Sequence, residues 1–142
     1  MLVPGEDVSL ELEDLKAMWL ELKAHVDRLA GERQQYFDFF EQSPEAYLVT
    51  DSLGRIAEVN GAAVDILQRR KHFLRGKPLT VLVAAEQRAE FRHRLRAVVE
   101  GGAQRSWRTT MATPEGSVET SLTARVIAGG SGICWLLQPA AP

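Results

Sequence analysis

The sequence predicts an α+β domain carried behind a long amphipathic helix. Three observations point there. Residues 46–67 read strand, tight turn, strand, helix; residues 104–138 read as three more strands broken by glycine-bearing turns; and residues 12–40 carry apolar side chains at alternating spacings of three and four. An apolar residue at every second position marks a half-buried strand, and one at every third or fourth marks a helix face.

The chain has 142 residues, a formal net charge of −2 and 45% hydrophobic content, enough apolar mass for one core and an appendage. No positive excess announces nucleic acid or an anionic membrane. No apolar run approaches bilayer length, and MLVPGED lacks the basic and apolar regions of a secretory signal. Cys134, the one cysteine, cannot close an internal disulfide, and a reducing, cytoplasmic setting is expected.

Residues 1–5 are expected to fray. Ser9 or Asp7 is placed to cap a helix, with Glu11, Glu13 and Asp14 in its first turns, where the helix dipole favours negative charge. Leu12, Trp19 and Val26 then fall at the a positions of a heptad repeat, and Leu15, Leu22 and Leu29 at d. Arg33, Tyr36 and Phe40 continue the phase past Gly31, which costs about 1 kcal/mol within a helix. A helix of about 30 residues would run roughly 45 Å, longer than a small domain is wide. Laid alone on its own domain it would leave Leu15 to Leu29 wet, so a parallel homodimeric coiled coil is expected to bury them. Glu11 at g then faces Lys16 at e of the other copy. Tyr36, Phe37, Phe39 and Phe40 exceed what one seam needs, and some are expected to dock on an outer sheet face.

Ala46 to Asp51 is β-prone. Ser52–Leu53–Gly54 makes a turn in which Asp51 accepts backbone hydrogen bonds and Gly54 is free to take positive φ. Arg55 to Val59 alternates, and Asn60 caps the helix that Ala62, Ala63, Val64, Ile66 and Leu67 continue. Residues 68–76 should make short helical turns, and a long helix is expected from Ala84 to Glu100, with Phe91, Leu95 and Val98 on its buried stripe and Gly101–Gly102 at its end. Strands follow at 104–112, 118–127 and 133–138, with turns at Pro114–Glu115–Gly116 and around Gly129, Gly130 and Gly132. Trp107, Trp135 and Leu136 break clean alternation and suggest that both sheet faces are partly covered.

The ordered combination SPEAYLVTDSLGRIAEVNGAA resembles the opening of a PAS domain: Ser-Pro, a strand ending in Asp, a Gly turn, a strand ending in Val-Asn, then small residues opening a helix. The resemblance spans residues 41–138, leaving 1–40 as the helix and 139–142 as a disordered tail. It implies a five-stranded antiparallel sheet with helices on one face, and a sensory or signal-relaying role in a protein of histidine-kinase or transcriptional-regulator type. The chain is then expected to be a fragment of such a protein, coupled to an effector domain or signalling partner, or a stand-alone adaptor. The tail lacks the Asp-Ile-Thr type ending that often joins PAS domains to effectors.

Family members that bind a ligand hold it between sheet and helices. The matching positions here are Ile56, Val64, Leu67 and Phe73, then Leu79, Phe91, Leu95 and Val98, then the strand residues Met111, Leu122 and Ile133. They suit either a small apolar ligand or a dry core, and a closed core is expected. Haem-binding relatives take an axial His from the long helix, but His93 lies about 200° round from Phe91, among Arg92, Arg94 and Arg96. His72 and His25 also read as surface residues. LOV-type flavin chemistry needs a Cys near Gln68–Arg69–Arg70, and none stands there. No haem, flavin or metal is expected. No catalytic pair, nucleophile set or phosphate loop is present in the pattern, so no enzyme is expected either. The arginines of the long helix alternate with Glu86 and Glu90, as in Glu90–Arg94, which marks a solvated face rather than a nucleic-acid surface.

Overall fold

The computed structural model describes residues 4–127, 129 and 132–140, with side chains from residue 11 onward. The chain divides into two units, Met1–Phe39 and Phe40–Pro142. The first consists of helix α1, Pro4–Gln42, whose last turn belongs to the second unit. The helix passes through Gly31 without a break. It begins at Pro4, earlier than a cap at Asp7 or Ser9 implies, because proline in a first turn gives up an N–H that would be unbonded anyway. Residues 1–3 of the segment expected to fray, and the side chains of Asp7 and Ser9, lie outside the described residues.

The second unit is an antiparallel sheet of β1 (Ala46–Thr50), β2 (Ile56–Val59), β3 (Arg105–Thr113), β4 (Gly116–Val126) and β5 (Ile133–Pro139), in the order β2-β1-β5-β4-β3. Between β2 and β3 run α2 (Gly61–Leu67), α3 (Lys71–Leu74) and α4 (Arg88–Gly101), with 3-10 turns at Leu79–Leu82 and Ala85–Gln87. The β1–β2 turn forms as its residues dictate. Asp51 Oδ1 accepts from the backbone N–H of Leu53 and of Arg55, both at 2.9 Å, and Gly54 sits at φ +86°.

Strands β3 and β4 differ from the expected bounds by one or two residues, and two further boundaries move, each for a local reason. The helix expected from Ala84 starts at Arg88, because the segment before it is tied to β3. Ala84 N–H donates to Thr110 C=O at 2.8 Å, and Gln87 Oε1 accepts from Thr109 Oγ1 at 2.8 Å and from Thr110 N–H at 2.6 Å. At the other end, Pro139 extends β5 and Ala140 N–H donates to Glu119 C=O at 2.8 Å, so order runs past Gln138. Residues 141–142 of the expected tail, and Gly130 of the last turn, lie outside the described residues.

The sheet alternates more cleanly than the sequence suggests. Trp107 and Trp135 both belong to the buried face, and only Leu136 points the other way. Register explains it: Leu48 pairs with Trp135 and Trp135 with Ala124, while Ala46, Leu137, Leu122 and Trp107 form the adjacent cross-strand row. Every one of these is buried. The opposite face carries Tyr47, Val49, Cys134 and Leu136, all half-buried. Of the aromatics expected to dock on it, Phe40 belongs to this unit and is half-buried.

Candidate functional site

The centre of the domain is an aromatic trio. Phe91 of α4 stacks on Trp135 of β5 (5.6 Å between centroids, 22° between planes), Trp107 of β3 meets Trp135 edge-on (5.7 Å, 81°), and Phe91 and Trp107 are tilted at 6.1 Å. Such contacts add about 0.5–1.5 kcal/mol each beyond area burial. Trp135 Nε1–H donates to Thr50 Oγ1 at 2.9 Å, which in turn donates to Asp51 C=O at 2.9 Å.

The structure gathers nine of the eleven pocket candidates around this trio. Ile56, Leu67, Leu79, Phe91, Leu95, Val98, Met111, Leu122 and Ile133 are all buried in one cluster, and Val64 packs half-buried against it. Phe73 does not join them. It is 43% exposed, with the Arg69 guanidinium 5.0 Å and Lys77 Nζ 4.9 Å from its ring. The four-residue helix α3 turns Leu74 inward in its place. A void large enough for water would leave accessible area on its walls, yet Leu48, Leu67, Leu74, Leu79, Met111, Leu122 and Trp135 have none. Those side chains pack against one another.

The polar candidates fall elsewhere. His93 and His72 are exposed. Cys134 lies on the outer face between Val49 and Arg125, where burial pushes its thiol pKa up and the Arg125 charge only partly opposes the shift. Among the described residues, no group of three or more His, Cys, Asp or Glu is set to hold a metal. Nor is any described helix long and apolar enough to cross a membrane.

Asn60 does more than its sequence position announces. Fully buried, its Oδ1 accepts from Ala63 N–H at 3.1 Å as the cap of α2 and from Tyr47 N–H at 3.0 Å, while its Nδ2 donates to Phe40 C=O at 3.0 Å and Glu45 C=O at 2.8 Å. One amide thus joins the last turn of α1, the start of β1 and the start of α2. Lys71 and Glu41 form an ion pair beside it. The cap was readable from sequence. The other three bonds span 13 to 20 residues, which no local pattern reveals.

On α1 the seam residues Leu12, Leu15, Trp19, Leu22, Val26 and Leu29 are between 49% and 63% exposed. Met18 lies beside them at 65%, and Lys23 Nζ sits 5.3 Å over the Trp19 ring. Tyr36 is exposed, and Phe40 is half-buried.

Comparison with known proteins agrees with this architecture. The PAS-fold family matches residues 40–138, and the chain belongs to that family. It is similar to the PAS domain of an HTR-like protein from Haloarcula marismortui, at 17% identity and TM-score 0.69 over 83% of this chain and 99% of that one. It is similar to a domain of a sensory box sensor histidine kinase/response regulator from Geobacter sulfurreducens, at 19% identity and TM-score 0.65 over 76% and 95%. It is also similar to the PAS domain of the Cronobacter turicensis RpfR quorum-sensing receptor in complex with BDSF, at 10% identity and TM-score 0.62 over 70% and 97%. No curated protein sequence matches the chain. The shared fold is the PAS fold.

Proposed function

We propose that this chain is a cytoplasmic PAS sensor and relay module of a histidine-kinase or transcriptional-regulator type protein, paired with a second copy through a parallel coiled coil of α1. The observation that carries the reading is the exposed seam. Six large apolar side chains at heptad spacing stand between 49% and 63% exposed on the single chain, and a monomer gives that pattern no use. A change in the domain would reach the seam through the end of α1, where Asn60 holds the Phe40 carbonyl. The helix would pass it to an effector domain or signalling partner.

The RpfR PAS domain is in complex with BDSF, and that likeness supports a ligand-sensing role for such a module. The close packing around Trp135 favours a second reading, a ligand-free dimerisation or protein-interaction module whose input is a partner. Native mass spectrometry tests both. A dimer of the full chain that becomes monomeric when the chain begins at Glu32 supports the seam, and a retained mass separates the ligand sensor from the ligand-free module. A full chain that stays monomeric at tens of micromolar removes the coiled coil.

A further inference from the structure

We propose that the groove between α4 and the start of β3 binds a small organic monoanion, a carboxylate on a compact apolar body. This rests on the sensor reading and deepens it, by placing the input on the flank of the domain rather than within its packed core. The groove holds about 290 Å³ and is lined by Glu90, His93, Arg94, Ala97, Arg105 and Trp107. Positions 90, 93, 94 and 97 share one face of α4 through spacings of three and four, and 105 and 107 share one face of β3. The size stands at the low end of small-molecule sites, about 300–1,000 Å³, and suits a ligand of roughly the bulk of benzoate.

The charges select the ligand class. Glu90 Oε1 holds the Arg94 guanidinium at 3.0 Å, whereas Arg105 has no ion-pair partner among the described residues. A Cβ at Gly101 would stand 3.5 Å from an Arg105 guanidinium nitrogen, so that group lies close over the last turn of α4. The Arg94 and Arg105 guanidiniums against the single Glu90 carboxylate leave one guanidinium charge unmatched. One ligand carboxylate balances it and can take Arg105 in a two-bonded fork. A dianion would meet the Glu90 charge. Ala97 and the Trp107 ring supply apolar wall.

Trp107 adds an independent sign. It is 8% exposed, and its buried Nε1–H has no hydrogen-bond partner among the described residues. Buried donors are nearly always paired. The Arg94 guanidinium lies 5.7 Å over its ring, and the ring itself touches Trp135 and Phe91. A carboxylate that draws Arg94 or Arg105 toward itself therefore reaches the aromatic trio without entering the core.

The test is an NMR titration of the full chain, following the tryptophan indole N–H signals with benzoate, with benzamide as the neutral counterpart and with inorganic phosphate. Trp107→Phe identifies the Trp107 signal. Benzoate should shift that signal saturably and leave Trp19 still, benzamide should bind at least tenfold more weakly, and Arg105→Gln should weaken benzoate about tenfold. Arg105 is exposed at the first position of β3, and an unmoved Trp135 signal in the variant certifies its fold. Any of three results overturns the site: no saturable shift, equal response to benzamide or to phosphate, or indifference to Arg105→Gln. Native mass on the same samples reports the dimer separately, so loss of the relay reading and loss of the groove are told apart.

Discussion

Trp19 and Trp135 divide the molecule between them. Both are large aromatics in regular elements, yet Trp19 is 59% exposed on α1 and Trp135 is fully buried in β5. Around Trp135 the apolar groups come from a helix and several strands that the chain folds over one another, so the domain finishes its own core. Around Trp19 they come from a single helix, which has one apolar stripe and nothing opposite it within its unit. An apolar surface closes where the chain supplies two sides and awaits a second molecule where it supplies one.

Substitutions can break that contrast. The largest effect is expected of Trp135→Ala, which removes the centre of the trio and its bond to Thr50; it should cost the domain about 3–5 kcal/mol in urea unfolding. Leu22→Asp should leave that unfolding midpoint unchanged while raising the dissociation constant of the proposed dimer at least about 100-fold in sedimentation, since each copy would bring an aspartate to the seam in place of a leucine. A domain destabilised by Leu22→Asp would mean that the two regions are not separate in energy. Asn60→Ala should cost about 2–3 kcal/mol, because it orphans buried groups on three elements. Gly31→Ala, in open space on α1, should raise helix content and strengthen the dimer by about 1 kcal/mol with no change in the domain. The smallest effect concerns Cys134. Its folded-state pKa is raised, so its contribution is fully present below the unfolded thiol's pKa and is lost as pH rises through the folded value. Stability of the wild type should therefore fall slightly more than that of Cys134→Ser in the alkaline range above about pH 8.5.

The fold was legible because its early signals are local. The Asp51 turn, the Asn60 cap and the Phe91–Leu95–Val98 stripe each involve a few adjacent residues, and each formed as its chemistry requires. The facing of Trp107 and Trp135 was not legible, because it depends on register between strands far apart in sequence. At Gly132 a Cβ would stand only 2.7 Å from the Thr50 carbonyl oxygen, so any other residue would push β5 away from the end of β1. The candidate lining was mostly legible, since helix and strand periods fix which side is buried. Phe73 escaped because α3 is a single turn, too short for a period to reveal a face. The groove beside Trp107 was invisible for the same reason as Asn60's long-range bonds: it joins residues of two elements through the fold alone.

The ties at the sheet's margins bear on how copies can meet. On one side Ile56 exchanges backbone bonds with Lys77 and Gly76, and Arg55 bridges Pro78. On the other, Ala84 and Gln87 occupy the carbonyl and the N–H of Thr110, and Val83 bridges Met111. A foreign strand needs an unbroken run of free partners to add itself to a sheet, and each margin is interrupted by the chain's own segment. Growth by strand addition, the route by which sheets polymerise, is thereby obstructed at both outer strands. Assembly can then be finite, and its stoichiometry can be left to side chains rather than to backbone.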